Sequence, residues 1–133
     1  MSEMDPSWIG EDDLYRENIL DHFRHPHNFG SLQACTFSHR EFNPVCGDDI
    51  QLFVALEHGK VGDARFVGKG CAISMASASM LTDKIRGLSV EQLKQLQRDD
   101  VLEMLGIELG VVRMKCGLLS LKALLKGIDG AGI

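Results

Sequence analysis

The 133-residue chain has no long apolar run, no cationic start, no basic stripe and no CxxC pair. Gly70 to Thr82 is free of charged residues, but it is too short and too rich in Ser and Ala to cross a bilayer, so no membrane span is expected. The first twenty-one residues hold seven acids against one base, the reverse of a signal or transit peptide, and the chain reads as cytoplasmic. They carry more negative charge than the whole protein, whose net charge is -5, and no basic surface follows that would track nucleic acid. Without a CxxC pair, a zinc ribbon and a thioredoxin-type dithiol both lose their usual frame. What is present is a 44% hydrophobic share, enough to build one core and to exclude disorder or a repeat array.

Residues 1–10 show no period and read as a flexible tail carrying Trp8; residues 11–133 read as one domain. From Glu11, Leu14, Asn18, Ile19 and Phe23 recur at helical spacing, and the helix is expected to stop before His25-Pro26. HPHNFG, His25 to Gly30, reads as a structured turn, and Gln33 to Phe42 as a weak strand through Ala34, Thr36 and Ser38. Ile50, Leu52, Val54 and Leu56 alternate as a half-buried strand should. His58-Gly59 supplies the hairpin turn, Val61 to Val67 returns, and Gly62-Asp63 marks a bulge. Beyond Gly70, a small-residue helix places Ile73, Ala76, Met80 and Ile85 near one face. Ser89 with Gln92 then caps one broken or two short helices, and Leu118, Leu121, Leu125 and Ile128 stripe a final helix. The fold class is α+β, a small antiparallel three-stranded sheet packed against several helices.

Four cysteines stand far apart in a chain without an export signal, which favours buried, catalytic or metal-bound thiols over disulfides. Cys46 and Asp48 lie in a CGD turn before one hairpin strand, and Cys71 follows the other, so both cysteines finish at the same end of the hairpin. If the last helix presents Cys116 there, three thiols and a carboxylate converge in a four-ligand site suited to zinc or to an iron-sulfur cluster. Cys71 and Cys116 are each expected at a helix start, where the thiolate is favoured, and Lys115 adds a cation beside Cys116. Cys116 is therefore expected in the exposed rim of the site as a reactive thiolate, activated by Lys115. Cys35 reads as a packed strand residue, His22, His25, His27, His39 and His58 as helix surface or turn, and Met75, Met80, Met104 and Met114 as core filler. Arg113, Lys115, Lys122 and Lys126 make a cationic end, read chiefly as a solvated helix face.

NPVCGD at Asn43 to Asp48, GKGCAISMASASM at Gly68 to Met80 and RMKCGLLSLKAL at Arg113 to Leu124 resemble the three signature blocks of the IscU/SufU/NifU N-terminal family of iron-sulfur cluster assembly scaffolds. DHFRHPHNFG at Asp21 to Gly30 resembles the family's N-terminal block, and the likeness runs from about Leu14 to Ile128. The resemblance implies an IscU/SufE-like domain that accepts sulfur from a cysteine desulfurase, assembles a transient [2Fe-2S] cluster with iron and passes it to iron-sulfur apo-proteins. The ligands it implies are Cys46, Asp48, Cys71 and Cys116, with zinc expected in the same site as an alternative occupant; with sulfur arriving as a persulfide, Cys116 is expected as its primary acceptor and Lys115 as the cation that activates this thiolate or orients the persulfide. Lys115 stands where Isc-type scaffolds have His, Gly110 to Met114 replaces their LPPVK motif, and the CAISMASASM wording is that of SufU proteins. The alternative reading is thus a zinc-dependent sulfur acceptor, a SufU-type sulfurtransferase; the spacing between Cys71 and Cys116 nevertheless lacks the usual SufU insertion. The expectation is a monomeric, non-enzymatic scaffold, becoming an enzyme only on the sulfurtransferase reading.

Overall fold

The computed structural model describes residues 11–133; the expected tail, with Trp8, lies outside them. Helix α1 (Glu11–Arg24) ends where Pro26 forbids helical geometry at His25, whose N–H makes a last helical bond to the Asp21 carbonyl at 2.8 Å. The HPHNFG turn then docks on the sheet. The Gly30 N–H donates to the Phe66 carbonyl at 2.8 Å, the Phe66 N–H donates to the Asn28 carbonyl at 3.1 Å, and the Phe29 ring meets Phe66 edge-on.

Strands β1 (Phe37–Asn43), β2 (Asp48–Glu57) and β3 (Lys60–Lys69) form an antiparallel sheet in the order β1-β2-β3. The expected hairpin is present: His58 and Gly59 both take positive φ (54° and 79°), the backbone that matches a two-residue turn to the twist of its strands. The expected bulge is there too. Ala55 pairs with Asp63 and Leu56 with Val61, so Gly62 has no partner, and the slip lets Val61 share the buried face with Ala64 and Phe66. The first strand begins later than expected. Ala34 and Thr36 precede it, Ser38 faces out, and Phe37 and Asn43, at its two ends, are buried instead because the final helix, α5 (Val111–Ala131), packs along β1. Cys35, also expected in the strand, stands just ahead of it, half-buried.

Helix α2 (Ala72–Ile85) departs most from an amphipathic reading, since every residue from Ile73 to Thr82 is buried rather than one face. It lies between α1, β3 and α5, and its Ser and Ala side chains are small enough to permit that. The hydroxyls stay satisfied: Ser77 donates to the Gly117 carbonyl at 2.6 Å, and Thr82 donates to carbonyls of its own helix. Two short helices follow, α3 (Val90–Lys94), closed by the expected Ser89/Gln92 capping box, and α4 (Arg98–Leu105). Helix α5 (Val111–Ala131) packs across β1 and α2, and its Gly127 leaves room for the Phe37 ring, which a Cβ there would approach to 2.8 Å. No helix among the described residues is long and apolar enough to cross a membrane.

Candidate metal centre

Hairpin register builds the site. Asp49 pairs with Lys69 at the open end of β2 and β3, so the residues just outside this pair, Asp48 and Gly70, must lie side by side. Cys46 enters through a tight turn in which Gly47 holds φ at +76° and donates its N–H to the Asn43 carbonyl at 2.8 Å. The Asn43 side chain accepts from the Val45 N–H at 3.1 Å, fixing the same turn. On the other side, Cys71 caps α2 and donates its backbone N–H to Asp48 Oδ1 at 2.9 Å. Gly70 allows this approach. A Cβ there would lie 2.4 Å from Ser74 Oγ and 2.5 Å from Asp48 Oδ1.

Asp48 is the hub and is buried, with 1% of its surface exposed. The Cys46 thiol donates to its Oδ2 at 3.0 Å, the Cys71 thiol reaches the same oxygen at 3.7 Å, and the sulfurs of Cys46 and Cys116 are 3.2 Å apart. Cys46, Asp48 and Cys116 each present a ligand atom within 4.8 Å of the others, and Cys71 adjoins this set through Asp48. Burial pushes the Asp48 carboxyl upward, but hydrogen bonds from the Cys46, Cys116 and Cys71 thiols and the Cys71 N–H outweigh it and hold the group below the ordinary carboxylate value. Burial also pushes the Cys116 thiol far above its ordinary range, with Asp48 and the neighbouring thiols adding to the effect. Asp48 is thus held ionised, and the Cys116 thiol beside it protonated.

This donor set fits a thiophilic cation. Zinc with Zn–S bonds of about 2.3 Å separates two thiolates by roughly 3.8 Å, so the present 3.2 Å between Cys46 and Cys116 has to open only slightly. Ferrous iron, brought in as substrate, makes similar demands on sulfur. Cys46 and Cys71 are exposed and Cys116 is 3% exposed, so the site has a buried floor of Asp48 and Cys116 under an accessible rim.

The premises given for Cys116 need correction. It is the sixth residue of α5 rather than its first, because Gly110 to Met114 contains no proline and the helix extends upstream to Val111. The helix dipole acts within about one turn of the terminus, so it does not favour a thiolate there. Nor is Cys116 in the exposed rim. Lys115, itself exposed, does not offset the upward push on the neighbouring thiol. It instead lines a groove of about 620 Å³ together with Phe42, Pro44, Leu118, Lys122 and Val45, the residue preceding Cys46. The expected solvated cationic face is partly engaged: Lys122 and Lys126 pair with the largely buried Glu41 at 3.8 and 3.3 Å. Met75 and Met80 are core residues, as expected.

One cluster escaped the reading of the sequence. His22, His27 and Asp83 also bring ligand atoms within 4.8 Å of one another, although the histidines read as helix surface and turn. The only signal in the sequence was the closeness of His22 and His27 along the chain. Their carboxylate partner lies on another helix, more than fifty positions away.

Sequence and fold comparisons agree. The model of the NifU-like N-terminal domain matches residues 14–130. The zinc-dependent sulfurtransferase SufU of Bacillus subtilis is 40% identical, the alignment covering 88% of this chain and 90% of that protein. The iron-sulfur cluster assembly scaffold protein IscU of Escherichia coli is 31% identical over 80% of this chain and 84% of its own. A solved structure of a candidate SUF-system scaffold from Fervidobacterium islandicum shares the fold at a TM-score of 0.73 with 24% identity, covering 90% of this chain and 99% of that one. By the extent of the family match and by these two relatives, the chain belongs to the NifU-like N-terminal domain family.

Proposed function

We propose that this protein is an iron-sulfur cluster assembly scaffold: it receives sulfur from a cysteine desulfurase, combines it with iron on Cys46, Asp48, Cys71 and Cys116, and hands a [2Fe-2S] cluster to apo-proteins. The observation that carries the reading is the convergence of three thiols and one buried carboxylate from three separate segments. A carboxylate is a harder and less tightly held ligand for iron than a fourth thiolate, which suits cargo meant to leave. The exposed rim supports sulfur delivery at Cys46 or Cys71, with Cys116 as a floor ligand whose proton leaves when metal arrives. The position of Lys115 in the groove that Val45 also lines supports a role in guiding the sulfur donor's approach rather than in activating Cys116.

The second reading, a zinc-dependent sulfur acceptor, is favoured by a relative that shares 40% identity and is named a zinc-dependent sulfurtransferase. Both readings use the same donors, so bound metal does not separate them. Anaerobic incubation with ferrous iron, cysteine and a desulfurase, followed by addition of an apo-ferredoxin, does. A scaffold develops visible cluster absorption and loses it to the acceptor. A zinc-loaded protein that accelerates desulfurase turnover, yet never gains a cluster, is a sulfurtransferase.

A further inference from the structure

The C-terminal part of α2 carries a second set of donors, facing the end of α1 and the HPHN turn. His22 Nδ1 meets Ser79 Oγ at 2.7 Å, and the same oxygen accepts the His27 backbone N–H at 2.7 Å. His27 Nδ1 meets Asp83 Oδ2 at 2.6 Å, while Asn28 donates its amide to Asp83 Oδ1 at 2.8 Å. The two imidazole rings are 4.3 Å apart, centroid to centroid. His22 is buried, whereas the His27 and Asp83 side chains are 47% and 44% exposed.

We propose that His22, His27 and Asp83 form a second metal site, for a borderline divalent cation of the zinc or ferrous class, completed by water on its open side. Two imidazoles and one carboxylate are the donors such ions favour. Ser79 plays the part of an outer partner: when His22 Nδ1–H donates to its hydroxyl, Nε2 carries the lone pair left for the metal. Ligand atoms on one zinc lie roughly 3.3 Å apart at Zn–N distances of about 2.0–2.1 Å. Contraction from the present spacing, within 4.8 Å, asks for rotation of His27 and Asp83, the two exposed members. In the metal-free protein a hydrogen bond joins His27 and Asp83, and the cation takes its place. From Cys71 to Asp83 the helix climbs roughly 18 Å, so the site is separate from the cysteine centre and does not rest on the reading given to it. Its occupant ties α1 and the HPHN turn to α2.

The test is a cobalt(II) titration of the full chain carrying Cys46→Ser, Cys71→Ser and Cys116→Ser together. One equivalent should bind with weak visible bands, without the intense near-ultraviolet absorption of cobalt thiolate, and should broaden the ring signals of His22 and His27 in NMR spectra. Adding His27→Gln or Asp83→Asn should abolish these bands, and Ser79→Ala should weaken binding by about tenfold or more. Should the triple-serine chain not fold, the wild-type protein gives the same information as a second equivalent after the thiolate band saturates. No binding up to millimolar cobalt, or binding that survives both His27→Gln and Asp83→Asn, overturns the proposal.

Discussion

Replacing Asp48 by Ala removes the hub of the cysteine centre, and the structure sets the size and sign of the effects. An exposed turn aspartate would be lost at little cost to folding, but Asp48 is buried and accepts the Cys71 N–H at 2.9 Å and the Cys46 thiol at 3.0 Å. A hydrogen bond to a charged group contributes about 1.5–3 kcal/mol, and part of that is offset because a buried carboxylate no longer has to be desolvated. A net loss of about 1–3 kcal/mol lowers Tm by roughly 3–12 °C in a domain of this length. The pH dependence follows from the depressed carboxyl. Its contribution is present above the unfolded value of 3.8 and is lost as pH falls through the lower folded value, so the gap between wild type and Asp48→Ala closes in acid. The variant also removes one cause of the raised Cys116 thiol, which moves back toward its ordinary range. With the oxygen ligand gone and the thiolate easier to form, a reconstituted cluster should persist longer and transfer more slowly. Thermal melts between pH 3 and 8, and visible absorption followed during transfer to an apo-ferredoxin, check both halves. An unchanged Tm together with wild-type transfer kinetics would refute the reasoning.

Zinc binding should release at least one proton per ion, because the Cys116 thiol is held protonated, and affinity should therefore climb as pH rises; calorimetry in buffers of different ionisation enthalpy measures the count. Gly70→Ala should weaken zinc binding by about tenfold or more through displacement of the Asp48 carboxylate and Ser74, an effect of the size seen when the partners orienting a ligand are lost, and competition with a chromogenic chelator reads it. Lys115→Glu should lower sulfur uptake from the desulfurase more than it lowers zinc affinity, since Lys115 lines the groove that Val45 also lines without touching the ligands' protons; mapping the persulfide by mass spectrometry with labelled cysteine measures uptake and shows which thiol receives it. Label on Cys116 alone would restore it as first acceptor.

The hairpin was legible because its signals are local: strict alternation from Ile50, a His58-Gly59 turn and a glycine at the bulge. From that register the meeting of Cys46, Asp48 and Cys71 follows, since strand pairing turns sequence spacing into spatial proximity. Helical positions carried less. The final helix was anchored on its leucine stripe from Leu118, but it begins with exposed, β-branched Val111 and Val112, residues of modest helix propensity, and this is why Cys116 was placed at its start. The burial of α2 on all sides depends on three different neighbours, which no periodicity in its own residues encodes. His22, His27 and Asp83 were hidden for the same reason, because only the packing of α1 on α2 joins them.

The bulged hairpin leaves the His58-Gly59 turn at the opposite end of β2 from the Cys46 turn, ten strand residues or about 30 Å away. A dye attached there while bound zinc protects the exposed ligand thiols Cys46 and Cys71, through a cysteine in place of exposed His58 in a chain whose Cys35 is replaced by serine, would sit at a separation suited to energy transfer toward an absorbing cluster. The far tip of the sheet is thus a place from which loading and unloading can be watched optically without disturbing the ligands.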